Sequence, residues 1–397
     1  MSTEDRYTIV SADCHAGGSS QEYFALLDPA HHEAYERWRA SFSNPFSDLQ
    51  GGVRTRNWDD ERRVSDLHAD GIVAEVVFPN TIPPFFPSSA LIARPPGGDD
   101  FELRLAGIRC HNRWLVDFCG RQPGRRVGVA QVFLNDVDEA VADVRSAADH
   151  GFGVLVPSVP DDTDLDPLYS TSYDPIWAAC EELGVVVNHH SGTGAPDYGT
   201  HAAAGMVFLA ETTFWSRRAL THLLLGGVFE RFPALRLVIT EQGASWIPAV
   251  LDQLDGFWRQ ARQTGRIGEL KYLPEDLTAL APSEYFHRNV WVASSFPSPV
   301  EAAARAQLGA DRFLWGSDYP HHESTFPYTR EALRRSFAGA DHDELRRVLA
   351  GNAAAVHGFD LDALAPLAQQ FGPTPEEIDV PLTTIPTDAW SPAFTRA

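Results

Sequence analysis

The sequence predicts an α/β protein, a (β/α)8 TIM barrel in which strands and helices alternate along one chain. Short runs rich in β-branched residues recur and are separated by segments with apolar residues at helical spacing. Several of these runs are apolar on both faces, as strands are in a parallel sheet that helices cover. Eight alternating units favour a closed barrel over a doubly wound open sheet, which is the alternative architecture.

The β-branched runs give the predicted strands. They span residues 7–13, 72–78, 126–133, 153–159, 184–190, 235–241, 289–294 and 312–318. Helical spacing predicts helices at 137–150, 173–183 and 300–309, and one or two closing helices at 341–358. Asp174 followed by proline suits the start of a helix, and Gly309 suits the end of one, so two boundaries have a local cause.

Two long segments and a tail do not fit a minimal barrel. Residues 16–66 and 79–105 are rich in aromatic residues, and each follows a predicted strand. Both therefore belong above the C-terminal face of the barrel, where long loops form lids or substrate walls. The tail, residues 359–397, is rich in proline and shows little periodicity. We expect one domain spanning residues 1–397, with two lid insertions and a C-terminal extension.

Composition and charge limit the partners of the chain. Its 397 residues carry a formal net charge of −22, which argues against nucleic acid and anionic membranes because both need a basic surface. No apolar run is long enough for a transmembrane helix, and the acidic start does not resemble a secretory signal. The four cysteines form no C-x-x-C pair. We expect a cytoplasmic protein whose partner is a small molecule.

Polar residues gather at the C-terminal ends of four predicted strands. Asp13 and His15 are two positions apart at the end of the first, so their side chains share one face. The other candidates are His189, His190, Glu241, Asp318 and His321. Because strand ends converge at the mouth of a barrel, these carboxylates and imidazoles predict a metal site there. A lone strand-end carboxylate could be a helix cap, but a cap needs no histidine two residues later.

Several motifs, in order along the chain, resemble the amidohydrolase superfamily, specifically the amidohydrolase-related branch that includes metal-dependent decarboxylases. They are SADCHAG at 11–17, ACEELGVVVNHHSGTG at 179–194, LWGSDYP at 314–320 and GNAAAVHGF at 351–359. The resemblance covers nearly the whole chain and implies that Asp13, His15, His190 and Asp318 bind a divalent metal. It also favours His190 over His189, a choice that strand alternation alone leaves open.

One position departs from the pattern of that branch. Glu241 stands where these decarboxylases and hydrolases usually have histidine, and His321 lies where mononuclear relatives need no ligand. The combination is similar to the non-heme diiron monooxygenases of platensimycin and platencin biosynthesis, a group thought to act largely on CoA-linked substrates. The candidate ligands number six: Asp13, His15, His190, Glu241, Asp318 and His321. That is more than one catalytic metal needs and suits two ions about 3.5–4 Å apart.

The leading hypothesis from the sequence is therefore a dinuclear iron monooxygenase that uses dioxygen to hydroxylate a bulky apolar terpenoid or acyl substrate, such as an acyl-CoA. His15, His190 and Asp318 would hold one ion. Glu241 and His321 would help to hold the second and would act in catalysis. Nitrogen and oxygen donors suit iron, zinc or manganese. The alternative is a metal-dependent hydrolase or decarboxylase with Glu241 or His321 as general acid or base. We also expect a homodimer, because barrels of this kind commonly dimerise.

Overall fold

The computed structural model describes residues 6–44, 49–160, 163–192 and 194–396. Eight parallel strands form one sheet in the order β1-β2-β3-β4-β5-β6-β9-β10, and a two-stranded hairpin, β7-β8, stands apart. The predicted TIM barrel is confirmed, and it is nearly closed. Its strands are Val10–Ala16 (β1), Ala74–Pro79 (β2), Arg126–Gln131 (β3), Gly153–Leu155 (β4), Val187–His190 (β5), Leu237–Thr240 (β6), Val290–Ser295 (β9) and Phe313–Gly316 (β10); the hairpin is Arg266–Ile267 (β7) and Leu270–Lys271 (β8).

Helices follow the strands and cover the barrel. The longest are Phe101–Gly120 (α4), Ala204–Leu225 (α7) and Ile247–Thr264 (α9). The others are Ser20–Leu26 (α1), His32–Ser41 (α2), Asp60–Ala69 (α3), Val137–Ala148 (α5), Asp174–Leu183 (α6), Val228–Arg231 (α8), Pro282–Asn289 (α10), Pro299–Ala303 (α11), Arg305–Leu308 (α12), Thr329–Phe337 (α13), His342–Arg346 (α14), Asn352–His357 (α15), Leu361–Phe371 (α16), Pro375–Asp379 (α17) and Pro392–Thr395 (α18).

Element boundaries differ from the prediction in several places: β4 ends at Leu155 rather than at residue 159, for example, and the predicted helix at 300–309 is divided into α11 and α12. β1 begins three residues later than the predicted strand, at Val10, and runs on to Ala16. The predicted closing helix contains a π-helical turn at Arg347–Gly351, between α14 and α15. The tail is more regular than its proline content indicates, because α16 packs Leu364 and Ala368 into the core. Residues 45–48 of the first predicted lid and the ends of the chain, 1–5 and 397, lie outside the described residues.

The barrel closes where β10 meets β1. The Asp318 amide donates a hydrogen bond to the Asp13 carbonyl at 2.8 Å. Further along the same two segments, the His15 amide donates to the Tyr319 carbonyl at 2.6 Å. Gly316 permits this contact, because a Cβ there would lie only 2.7 Å from the Asp13 Cβ. The closure therefore brings the ends of the first and last barrel strands into direct contact.

A buried ion-pair network lies between β2 and α3. Glu75 accepts from Arg63 (2.6 Å) and Arg126 (2.9 Å), and all three side chains are almost fully buried. Arg63 also donates to the main-chain carbonyl of His15 at 2.8 Å. Burial alone would raise the pKa of Glu75, but Arg63 and Arg126 lower it to about 2. Glu75 therefore stays ionised, and the network fixes the backbone that carries His15.

In the part of the chain that the structure describes, no helix has both the length and the apolar character needed to cross a bilayer. The cysteines Cys14, Cys110, Cys119 and Cys180 are free and buried. Burial raises the pKa of Cys110, Cys119 and Cys180 to about 12. These three are therefore inert packing thiols.

Replacing Glu75 with glutamine should lower the free energy of unfolding by about 3 kcal/mol at neutral pH, because two buried guanidinium groups then face a neutral partner. The cost should be complete above pH 4.5 and should shrink as the pH falls toward 2, since protonation then removes the same charge from the wild type. Urea denaturation at several pH values measures both effects.

Glu139→Gln is the matched control for Glu75→Gln. Glu139 also pairs with an arginine, Arg109, but the two side chains are 44% and 32% exposed. The control should therefore cost less than about 1 kcal/mol. Equal losses in the two variants would contradict the role assigned to the buried network.

Candidate active site

Six polar side chains meet at the mouth of the barrel. They form three overlapping groups, and within each group the donor atoms lie within 4.8 Å of one another. The groups are Asp13, His15 and His190; His15, Asp318 and His321; and Asp13, Glu241 and Asp318. The structure thus brings together all six residues that the sequence singled out as candidate ligands. β1 and β5 supply three of them, and the segments after β6 and β10 supply the others.

His15 lies at the centre of this cluster. Its Nε2 is 3.2 Å from Asp13 Oδ1 and 3.1 Å from Asp318 Oδ1. The Nε2 of His190 is 3.4 Å from the same Asp13 oxygen. All four side chains are completely buried. Water therefore does not screen their charges, and each charge acts strongly on its neighbours.

Main-chain carbonyl groups fix which nitrogen of each buried histidine faces the cluster. The Pro79 carbonyl lies 3.1 Å from Nδ1 of His15, and the Ser191 carbonyl lies 3.1 Å from Nδ1 of His190. A carbonyl oxygen only accepts, so Nδ1 of each ring carries the proton. In the neutral rings Nε2 therefore offers its lone pair to the cluster. Metal-binding histidines are commonly oriented in this way.

Four of the six residues present buried atoms that have no hydrogen-bond partner outside the cluster. Within the described residues these atoms are Nε2 of His15 and His190, Oδ1 of Asp13, and both carboxylate oxygens of Asp318. Buried polar atoms are nearly always paired in proteins, because an unpaired one costs roughly 1–3 kcal/mol. Five such atoms, which belong to overlapping groups of side chains at the mouth of the barrel, therefore indicate a ligand site.

Glu241 and His321 differ from these four because their side chains are engaged. Glu241 accepts a hydrogen bond from the Ser191 hydroxyl at 2.7 Å. Nε2 of His321 lies 3.1 Å from Oδ1 of Asn80, and its Nδ1 lies 2.9 Å from Asp318 Oδ1. Their side chains are 19% and 17% exposed. Both residues therefore stand at the rim of the cluster, where a substrate can reach them.

The backbone is strained at the two strand ends that carry carboxylates. Glu241 has φ 56° and Asp318 has φ 65°, both in the left-handed region that non-glycine residues rarely adopt. Such a conformation costs on the order of 1–3 kcal/mol and persists where surrounding contacts impose it. Here it turns both carboxylates toward the mouth of the barrel.

The charges of the cluster shift one another's ionisation. Burial alone would raise the pKa of Asp13, but two neighbouring histidines hold it well below its usual range. Burial alone would lower the pKa of His15, but Asp13 and Asp318 raise it well above its usual range. Burial and the charge of Asp318 raise the pKa of Glu241 to about 7. For His321 the charge of Asp318 outweighs burial and raises the pKa to about 9. Histidine protons thus supply the positive charge that the carboxylates require.

The donor set fits a divalent metal ion. The unpaired atoms of Asp13, His15, His190 and Asp318 are carboxylate oxygens and imidazole nitrogens only, which suits manganese, zinc or ferrous iron. A divalent cation among them would satisfy atoms that otherwise lack a partner. It would also take the place of the histidine protons that balance the carboxylates.

His189, the neighbour of His190, points away from the cluster. Its Nδ1 lies 2.8 Å from the Val156 carbonyl. Its Nε2 lies 3.0 Å from both the Ser158 hydroxyl and the Ser216 carbonyl. Both nitrogens are engaged in the core, so of the two adjacent histidines only His190 presents a nitrogen to the cluster.

Two strand ends contribute residues that the sequence analysis did not single out. Ser295 ends β9, and its hydroxyl donates to Oδ2 of Asp13. Asn80 follows β2 and contacts His321. Their positions at the ends of predicted strands were the feature of the sequence that could have identified them. Serine and asparagine are weak metal ligands, however, and their hydrogen bonds depend on tertiary contacts that spacing does not reveal.

A cavity of about 220 Å³ opens beside His321. Its lining includes His322, Phe326, Tyr328, Asp388, Trp390 and Phe394. Tyr328 donates to Asp388 at 2.6 Å and so ties the segment after β10 to the C-terminal tail. The tail therefore forms one wall of the space next to the cluster.

The fold thus places a cluster of potential metal ligands at the C-terminal face of the barrel. The sequence model of the family described as Amidohydrolase matches residues 22–359, and the chain belongs to that family.

Its relatives in sequence are decarboxylases. The chain is 26% identical to a gamma-resorcylate decarboxylase from Rhizobium radiobacter over 231 residues, which are 56% of this chain and 68% of the relative. It is 25% identical to the 2-amino-3-carboxymuconate-6-semialdehyde decarboxylase of Dictyostelium discoideum over 315 residues, 76% of this chain and 77% of that one.

Solved structures show the same fold. The 5-carboxyvanillate decarboxylase of Sphingomonas paucimobilis superimposes with a TM-score of 0.66 at 17% identity, covering 89% of this chain and 100% of that chain. A dihydroxybenzoic acid decarboxylase from Polaromonas sp. JS666, solved with bound manganese and the inhibitor 2-nitroresorcinol, gives 0.59 at 16% identity, with coverages of 89% and 97%.

The expectation of a dinuclear iron monooxygenase is wrong. The resemblance to the amidohydrolase-related branch is confirmed, but the similar proteins are decarboxylases, and neither iron nor dioxygen has support among them. The physical reason for the error lies in the count of ligands. That count took Glu241 and His321 as free donors, although each has a hydrogen-bond partner outside the cluster, Ser191 and Asn80 respectively.

The adjacent histidines should respond oppositely to replacement by glutamine. His189→Gln should lower the free energy of unfolding by about 1–3 kcal/mol, because it disturbs hydrogen bonds in the core, and should leave Mn²⁺ affinity nearly unchanged. His190→Gln should abolish Mn²⁺ binding, because it removes the ring nitrogen that faces the cluster. Urea denaturation and titration calorimetry measure the two effects, and the reverse pattern would contradict the orientation of the pair.

Proposed function

We propose that the protein is a metal-dependent decarboxylase of a small aromatic carboxylic acid. The observation that carries this proposal is the set of five unpaired, buried donor atoms beside a partly exposed glutamate at the mouth of the barrel. Such a site can bind a cation and place a proton donor next to it. The decarboxylase relatives support this choice over hydrolysis.

We propose that Asp13, His15, His190 and Asp318 hold one divalent ion. The six-ligand count suggested two ions, but of those six residues only these four carry buried atoms without a hydrogen-bond partner. One ion with four protein ligands leaves room for a substrate oxygen. When bound, the metal would supply positive charge for the carboxylate or phenolate of the substrate. Metal analysis of the purified protein decides between one ion and two.

Glu241 is proposed as the proton donor in the reaction. In decarboxylation the bond between the ring and its carboxylate breaks, and the electron pair stays on the ring carbon. Glu241 then gives its proton to that carbon while carbon dioxide leaves. The hydroxyl of Ser191 holds one carboxyl oxygen at 2.7 Å and leaves the other to carry the proton. Solvent reprotonates Glu241 through the exposed rim.

The cavity beside His321 is proposed to take the aromatic ring of the substrate. Phe326 and Trp390 provide flat apolar surfaces in its wall, and the C-terminal tail limits its depth. Closing water out of this space would protect the ring carbanion from uncontrolled protonation. No acyl-CoA is needed in this proposal. The homodimer and the cytoplasmic location stay predictions.

The purified protein loaded with Mn²⁺ should release carbon dioxide from at least one member of a panel of hydroxybenzoates, including 2,6-dihydroxybenzoate and 5-carboxyvanillate. Release should continue without oxygen, stop after the metal is removed by a chelator, and return when Mn²⁺ is restored. Headspace analysis measures the carbon dioxide that is released, and an oxygen electrode measures oxygen uptake. Substrate-dependent oxygen uptake, or no release from any aromatic acid by a fully loaded protein, would overturn the proposal.

Glu241→Gln should lower kcat by about 100-fold or more while changing Mn²⁺ affinity by less than about 3-fold, because glutamine keeps the shape but donates no acidic proton. Glu323→Gln is the matched control, since Glu323 is a neighbouring carboxylate that acts on Glu241 by charge alone. The control should retain most of the activity. A loss of metal binding in Glu241→Gln would show that Glu241 is a ligand instead.

A further inference from the structure

A chain of side-chain hydrogen bonds links the first lid segment to His321. The segment Val53–Asn57 forms a short 3-10 helix above the barrel. The amide nitrogen of Asn57 donates to the Arg54 carbonyl at 2.9 Å. The amide oxygen of Asn57 accepts from the amide nitrogen of Asn80 at 2.7 Å. The amide oxygen of Asn80 lies 3.1 Å from Nε2 of His321.

The donor and acceptor of every hydrogen bond in this series follow from the first one, between Asn57 and the Arg54 carbonyl. A main-chain carbonyl can only accept, so the Arg54 carbonyl requires the nitrogen end of the Asn57 amide. The oxygen of Asn57 must then face Asn80 and takes the nitrogen end of that amide. The oxygen of Asn80 is therefore the atom left to face His321. Since this oxygen also only accepts, Nε2 of His321 must be the donor.

We propose that Asn57 and Asn80 are positioning residues that keep a proton on Nε2 of His321 and leave Nδ1 as the nitrogen that serves the site. The role of the site that Nδ1 faces rests on the proposed function, but the hydrogen-bond chain does not. Asn57 and Asn80 are 0% and 6% exposed, so water is a poor substitute for either amide.

The surroundings of His321 make the choice of nitrogen consequential. Nδ1 lies 2.9 Å from Oδ1 of Asp318, which is a proposed metal ligand. The ring also stacks on that of His15, with 4.1 Å between centroids and 26° between planes, which hinders a ring flip. Nδ1 is therefore the nitrogen of His321 that faces the site. The asparagine chain makes this arrangement depend on the position of the lid segment.

A purely structural role for the two asparagines would need only that their polar groups be paired. The proposal adds that the pairing acts through one nitrogen of His321. The test must therefore report the state of that nitrogen, and it must show whether the effect of Asn80 requires His321.

The first measurement is a two-bond ¹H–¹⁵N correlation spectrum of the full chain with labelled histidine, metal-free and with Zn²⁺. The two nitrogens are distinguished because Nε2 couples to both ring carbon-bound protons and Nδ1 to one. His321→Phe assigns the signal, and the buried ring of His111, which bonds to Tyr23, is the internal reference. Nε2 of His321 should carry a slowly exchanging proton in both states, and an unprotonated Nε2 in either state would overturn the proposal.

Variants then test the chain itself. Asn80→Leu should speed exchange of the Nε2 proton at least tenfold, whereas Asn80→Asp should retain the slow proton because a carboxylate oxygen still accepts it. The side chain of residue 57 is not a hydrogen-bond partner of His321. Asn57→Leu should nevertheless speed exchange of the Nε2 proton, because it frees the Asn80 amide to turn. It remains a test if Asn80→Leu does not fold. An unchanged exchange rate in Asn57→Leu would overturn the relay.

The second measurement is Mn²⁺ affinity by competition with a chelator. Asn80→Leu should weaken binding about 3- to 10-fold, because Asp318 loses a fixed neighbour. In the His321→Phe background the same substitution should have no further effect. Equal weakening in both backgrounds would overturn the proposal. Neither measurement uses catalysis, so a protein that shows both effects and no decarboxylation would refute the proposed function alone.

Discussion

The close contact between β10 and β1 is the constraint on which the site depends. Gly316 leaves no room for a side chain, since a Cβ would lie 2.7 Å from that of Asp13. Two main-chain hydrogen bonds then bind the segment after β10 to the end of β1. This is why Asp318 reaches within 3.1 Å of His15, although the two residues are far apart in sequence. Without that contact the cluster would lose its shared centre.

Buried charges near this contact are balanced in two different ways. Glu75 is enclosed by two arginines and is fully paired, so its charge stabilises the barrel without any ligand. Asp13 and Asp318 instead face histidines, and several of their atoms lack a partner among the described residues. Arg63 joins the two regions, because it holds both Glu75 and the carbonyl of His15. A rigid, satisfied ion pair thus supports a site that is left open for a cation.

The sequence predicted the fold and the convergence of the six candidate ligands, because β-branched runs and strand ends are local features. It could not show which donors were already engaged. Ser191 and Glu241 are 50 positions apart, and Asn80 and His321 are 241 apart, so their pairing appears only after folding. Counting residue types therefore overstated the number of free ligands. The helix α16 was missed for a different reason. Pro366 lies inside it, and proline ordinarily indicates that a segment is not helical.

Glu241 changes the charge of the site in a way that holds whatever its protonation state. The resemblance to the amidohydrolase-related decarboxylases places histidine at this position, and histidine is either neutral or positive. Glutamate is either neutral or negative, so the site carries one positive charge fewer in each corresponding state. Asp13 and Asp318 already contribute two carboxylates to the same cluster. Additional negative charge on a substrate is therefore less favourable here than beside a histidine. For the proposed aromatic acid substrate we therefore expect a monoanion to bind better than a dianion, and that expectation follows from one residue at the end of β6.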